Sequence, residues 1–101
     1  HFHITFVMDV SPNCDCWNHN DIPIVPNIGI LASFDPVAID RAAVDLVNNA
    51  PAVAGCQLES TSWKEGSDKF GALYPSTNWK EGLEYAQSIG LGNSSYNLVK
   101  V

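Results

Sequence analysis

At 101 residues the chain is bounded to a single domain, and its 46% apolar residues can build a core without a disulfide or metal staple. Eleven acidic residues against five basic ones give a net charge of −6, which excludes the basic clusters that nucleic acid or an anionic bilayer surface requires. No apolar run approaches the ~20 residues of a membrane span, and no basic segment followed by an apolar one, as in a signal peptide, is visible.

Residues 1–10 alternate with a period of two. Phe2, Ile4, Phe6, Met8 and Val10 share one face, and His1, His3, Thr5, Val7 and Asp9 share the other. This predicts a strand over about 2–9 with the first set buried. A strand pattern that starts at His1 points to a chain cut from something longer. Residues 11–27 carry Pro12, Pro23 and Pro26 and no glycine, so an ordered, proline-stiffened loop is expected. A short buried strand follows over 28–33. Asp35-Pro36 then reads as the N-cap and first residue of a helix running to about Asn49, before Pro51. On that helix only Arg41, Asp45 and Asn48 form a solvent stripe, whereas Asp40 falls between Val44 and Val47, on a side expected to be buried.

Residues 51–66 are expected to be loop with a short helical start around 52–56, and 68–73 a short helix closed by Tyr74-Pro75. Asn78 with Glu81 three positions on predicts a capping box opening a helix over 78–89, with Leu83, Ala86 and Ile89 buried and Gly90 as its stop. Residues 96–101 alternate and predict a last strand. The fold class is therefore α+β: a small mixed sheet of about three or more strands packed by two main helices, in one domain over 1–101.

Cys14-Asp15-Cys16 is the sharpest chemical signal. Two thiolates one residue apart can grip a soft metal or the irons of a cluster, although a closed structural site wants four ligands. Cys14 and Cys16 are thus the candidate metal ligands, with Asp15 and His19 from the same loop and Asp35 and Asp40 from the helix as candidate supporting groups. His19 could also lower a cysteine pKa. Asp35 has a structural role as cap, and Asp40 could anchor the cysteine loop through backbone N–H groups or act as a general acid or base. Three cysteines form no paired framework, and Cys14 and Cys16 are too close for an unstrained mutual disulfide, so a reducing, cytoplasmic setting is expected. No catalytic residue is singled out, since no Gly-x-Ser-x-Gly or phosphate-cradling glycine loop is present.

The run from Asp9 through Cys14-Asp15-Cys16, then Pro23-Ile24-Val25-Pro26-Asn27-Ile28-Gly29-Ile30-Leu31-Ala32-Ser33 and Asp35-Pro36-Val37-Ala38-Ile39-Asp40, resembles the C-terminal part of a bacterial and archaeal family of uncharacterized, ferredoxin-associated iron–sulfur centre proteins, a domain of unknown function. Leu83-Glu84-Tyr85-Ala86, Ile89-Gly90-Leu91-Gly92 and Tyr96 look like the end of that family. The resemblance implies a C-terminal fragment whose partner is the missing N-terminal part of the same chain. It also implies an iron–sulfur cluster in the full-length protein, held mainly on cysteines absent here, so that none is assured on this fragment. Three readings stay open: the Cys14/Cys16 loop contacts a metal or redox centre; the chain is a structural or interaction module with inert thiols; or it is part of an enzyme site completed by the missing N-terminal region.

Overall fold

A computed structural model describes residues 1–101. The elements are β1 (His3–Val7), β2 (Gly29–Ser33), α1 (Pro36–Asn49), a 3₁₀ turn (Gln57–Ser60), α2 (Lys69–Leu73) and α3 (Trp79–Ser88). The architecture is α+β, with three helices and one two-stranded sheet. β1 and β2 pair antiparallel with His3 opposite Ser33 and Val7 opposite Gly29. No helix is long and apolar enough to cross a membrane.

The expected strand over 96–101 does not form, so the sheet has two strands rather than three or more. Its alternation is real, and Tyr96, Asn97 and Leu98 share a small cavity with Leu31, Ala32 and Ser33 of β2, but they form no ladder with it. Tyr96 instead bonds through its hydroxyl to Asp45 of α1 at 2.8 Å. Leu98 and Val99 remain exposed. The helical turn expected near 52–56 forms later, at Gln57–Ser60.

Helix α1 starts where Asp35 and Pro36 require. The Asp35 carboxylate accepts from the backbone N–H of Val37 and Ala38 at 2.9 and 3.0 Å, satisfying donors that have no partner within the helix. Helix α2 starts the same way on Asp68. At α3, Asn78 accepts from the Glu81 N–H at 3.4 Å, and Gly90 follows the helix with φ +83, a conformation that suits glycine. Leu83 and Ala86 are half-buried, whereas Ile89, expected inside, is exposed.

The sheet is turned over relative to its alternation. α1 packs on the face that carries Thr5, Val7 (4% exposed) and Leu31. Phe2, Ile4 and Phe6 point the other way, as do Ile30 and Phe34, and all five are more than half exposed. The rings of Phe2 and Phe34 meet on that outer face at 5.1 Å between centroids. Alternation identifies two faces but not which one a helix will cover. The helix's close-packing residues Ala38 and Ala42 settle against the face with the smaller side chains.

The core joins Val7, Ile24, Val25, Val47, Cys56 and Leu58. Only 12 of 101 residues are buried, and the accessible surface is 6991 Å², against about 5,600 Å² for a monomer of this mass. The radius of gyration, 14.1 Å, likewise exceeds the ~12.7 Å of a closed domain of this length.

Candidate functional site

The loop that carries the thiols is rooted in the core and clasped at its neck. Ile24 and Val25 are 1% exposed. The Ile24 N–H donates to Val10 at 2.8 Å, and the Val53 N–H donates to Ile24 at 2.9 Å. Above that root Asn13 and Asn20 bind each other: the Asn13 N–H donates to the Asn20 side chain at 3.2 Å, and the Asn20 amide donates to the Asn13 carbonyl at 3.0 Å. The Asn13 amide also donates to the His19 carbonyl at 3.0 Å, and the Tyr74 hydroxyl donates to the Asn13 side chain. These bonds close residues 13–20 into a small lobe, in keeping with an ordered loop. Asn13, Asn20 and Tyr74 escaped sequence reasoning. The Asn-rich composition was the only available signal for the clasp, and Tyr74 lies 61 residues from Asn13.

Inside the lobe a tight turn, Trp17 N–H to Cys14 carbonyl at 2.9 Å, brings the two thiols together. The Cys16 thiol donates to the Cys14 sulfur at 2.9 Å, and the Cys16 N–H donates to the same sulfur at 3.5 Å. Both cysteines are exposed and free. The thiol and backbone donors from Cys16 hold Cys14 below the usual thiol range, against the opposing charge of Asp15. The same hydrogen bond, together with the charge on Cys14, pushes Cys16 up. The pair is therefore asymmetric, with Cys14 the more readily ionised. Cys14, Cys16 and Trp17 line an open depression of about 400 Å³ with Asn13 and Tyr74.

The other sequence candidates lie at varying distance from this chemistry. Asp15 and His19 are exposed in the same lobe. Asp35 caps α1, and its second oxygen accepts from the Asn93 N–H at 2.9 Å. Those donors, with Ala38 and Asn93 foremost, hold its carboxyl below the usual range. Asp40 corrects the expectation of burial. It is exposed, makes no hydrogen bond to the cysteine loop, and lines an open cleft between β1, α1 and α3. The stripe of Arg41, Asp45 and Asn48, expected to face water, is instead partly covered by later elements of the chain, while the fully buried side of α1 is Val37, Ala38, Ile39, Ala42 and Val47. Arg41 pairs with Asp45 at 3.1 Å and stacks 5.3 Å from the Trp79 ring, and Asn48 joins α2. Cys56 is a core residue, 2% exposed.

No group of three or more His, Cys, Asp or Glu side chains is placed to hold a metal ion. The donor set at Cys14 and Cys16 fits a soft metal as two of four ligands. Two thiolates on one tetrahedral ion, with bonds of about 2.3 Å, stand about 3.8 Å apart. Ligation would thus ask the thiols to part by roughly an ångström, a movement that exposed side chains allow.

No curated protein and no solved structure matches this chain. Residues 1–45, which carry β1, the cysteine lobe, β2 and the first turns of α1, match the model of a family described as a domain of unknown function (DUF362).

Proposed function

We propose that the cysteine lobe is half of a thiolate site for a soft metal, the iron of an iron–sulfur centre, and that the chain works as part of a redox protein. The observation that carries this reading is the pair itself: two exposed thiols 2.9 Å apart on a clasped lobe, with the Cys16 donors holding Cys14 below the usual thiol range. Structural cysteines are ordinarily buried, as Cys56 is. Exposing a thiol pair on an ordered frame suits ligation. An iron–sulfur centre supplies electron transfer when bound. The chain's own part is to present Cys14 and Cys16 with their spacing restricted by the Asn13–Asn20 clasp. The remaining donors come, in this reading, from polypeptide outside residues 1–101.

The test is anaerobic reconstitution, with ferrous iron and sulfide, of the protein that carries residues 1–101, followed by iron and sulfide counting and visible spectroscopy. The Cys14→Ser/Cys16→Ser double variant should lose iron and the associated absorption while keeping its circular dichroism. Iron content and spectrum unchanged by the double substitution would remove the proposal.

The thiol contact also favours a second reading, two-electron exchange with a disulfide substrate. The Cys14 thiolate would attack one substrate sulfur and expel the other as thiolate. The Cys16 sulfur would then attack Cys14, losing its proton to solvent and releasing the second substrate thiolate. Mass spectrometry after exposure to oxidised glutathione decides it: an intramolecular Cys14–Cys16 disulfide supports this reading, and a glutathione adduct that never resolves defeats it.

A further inference from the structure

An open, mostly apolar cleft lies away from the thiols, along the unpaired edge of β1. β1 is bonded to β2 on one side and to no strand on the other. Beside this free edge is a cavity of about 560 Å³, walled by Thr5, Phe6 and Val7 of the strand and by residues of α1 and α3. Val44, Val47, Trp79, Leu83 and Ala86 make most of the helical wall, and the one charged side chain in the lining is Asp40. Asp40 is free of ion pairing, since the chain's salt bridge joins Arg41 to Asp45.

We propose that this slot receives a further β-strand, contributed by polypeptide outside residues 1–101. The added strand pairs with β1, turns alternate aliphatic side chains into the cavity and sets a lysine or arginine against Asp40. The assignment is independent of the thiol reading. A free strand edge presents unpaired backbone donors and acceptors, which an extended segment satisfies along its whole length. A strand projects every second side chain to one face, and the apolar wall lies beneath that face. The excess of accessible surface over that of a closed monomer is compatible with an added layer, and the single unpaired carboxylate of the apolar lining, Asp40, asks for a cation on it.

A second copy of the chain fits the slot poorly. The inward residues of its own β1 are His3, Thr5 and Val7, which offer one aliphatic side chain and no lysine or arginine. The net charge of −6 also sets two copies against each other.

The probe is an acetylated, amidated peptide of sequence TVTKTVT, titrated into the isotope-labelled 101-residue chain and followed by amide NMR. Shifts should concentrate at Thr5, Phe6, Val7, Val44 and Leu83. A peptide N-methylated on the amides that face β1 should lose binding, because strand pairing needs those donors. Asp40→Lys should weaken TVTKTVT by about tenfold and bind TVTETVT better than the parent chain does. Asp40→Asn, isosteric at this exposed position, should give an intermediate loss. The proposal is overturned by any of four results: no shifts at millimolar peptide, shifts on the outer face around Phe2 and Phe34, equal binding of the N-methylated peptide, or concentration-dependent self-association that the peptide does not compete with.

Discussion

The junction of α1 with α2 and the cysteine lobe are both dense in hydrogen bonds, but they put those bonds to opposite uses. At the junction the polar groups turn inward. Asp68 accepts from the Asn48 amide at 3.1 Å, the Trp79 indole N–H at 2.9 Å, and the backbone of Phe70 and Gly71. Beside it Lys69, only 1% exposed, donates its ammonium to the Asn48 and Ala50 carbonyls at 2.8 and 2.7 Å, under the Trp63 ring. No buried side-chain nitrogen or oxygen is left without a partner. In the lobe the bonds connect exposed groups, and what they hold in place is a pair of thiols facing solvent. The first arrangement ties three helices together; the second displays reactive atoms. Polar networks of similar appearance therefore contribute very differently to stability.

This contrast can be broken from the side expected to matter most. Asp68→Ala should cost about 2–4 kcal/mol, because it removes a helix cap and strands the Trp79 and Asn48 donors together. For a domain of this size that lowers Tm by at least roughly 8 °C in a thermal melt. Acid should reproduce part of this loss. Burial alone would raise Asp68, but the Trp79, Asn48, Phe70 and Gly71 donors outweigh it and hold the group below its ordinary value. A depressed carboxylate stabilises the fold above its unfolded pKa of about 3.9, and that contribution disappears as pH falls through the lower folded value. Tm should therefore decline below about pH 4 in the parent chain, and decline less in Asp68→Asn.

Lys69→Met is expected to come next, at about 1–3 kcal/mol, since two carbonyls lose their donor while the aliphatic stem is kept. Burial pushes the Lys69 ammonium down, so removing the charge recovers part of that cost. Gly92→Ala follows at about 1–2 kcal/mol. A Cβ there would stand 2.0 Å from the Asp35 carboxylate and would push the Asn93 N–H off its acceptor. On the lobe side, Cys14→Ser and Cys16→Ser should leave Tm unchanged and alter reactivity alone. Iodoacetamide should label Cys14 ahead of Cys16 near neutral pH, and Cys16→Ala should slow Cys14 by removing the donor that favours its thiolate. A large drop in Tm for either serine variant would erase the distinction between the two regions.

Local chemistry made much of this legible in the sequence. Asp35-Pro36, Asn78 and Gly90 marked helix ends through backbone bonds that operate within a few residues. The Cys14/Cys16 pair was equally visible, because its geometry follows from a turn of four residues. What escaped depended on distant packing. The burial of Lys69 needs carbonyls about twenty positions earlier in the chain. The exposure of Asp40 depends on which side of α1 the later helices choose, and helical periodicity leaves that open. The outward turn of Phe2, Ile4 and Phe6 follows from which face α1 covers, and residues 96–98 lie beside β2 without pairing with it, Tyr96 bonding Asp45 of α1 instead.

Asp35 has a consequence beyond starting a helix. One of its oxygens holds Val37 and Ala38, and the other holds Asn93, 58 residues away. The tail is fastened further by Ser94 to Gln87 and by Tyr96 to Asp45. A single carboxylate thus makes the first turn of α1 and the C-terminal strap one cooperative unit. Hydrogen exchange at Val37, Ala38 and Asn93 should slow or quicken in concert, and one proton on Asp35 should weaken its hold on both segments together, because charge-assisted bonds give way to neutral ones.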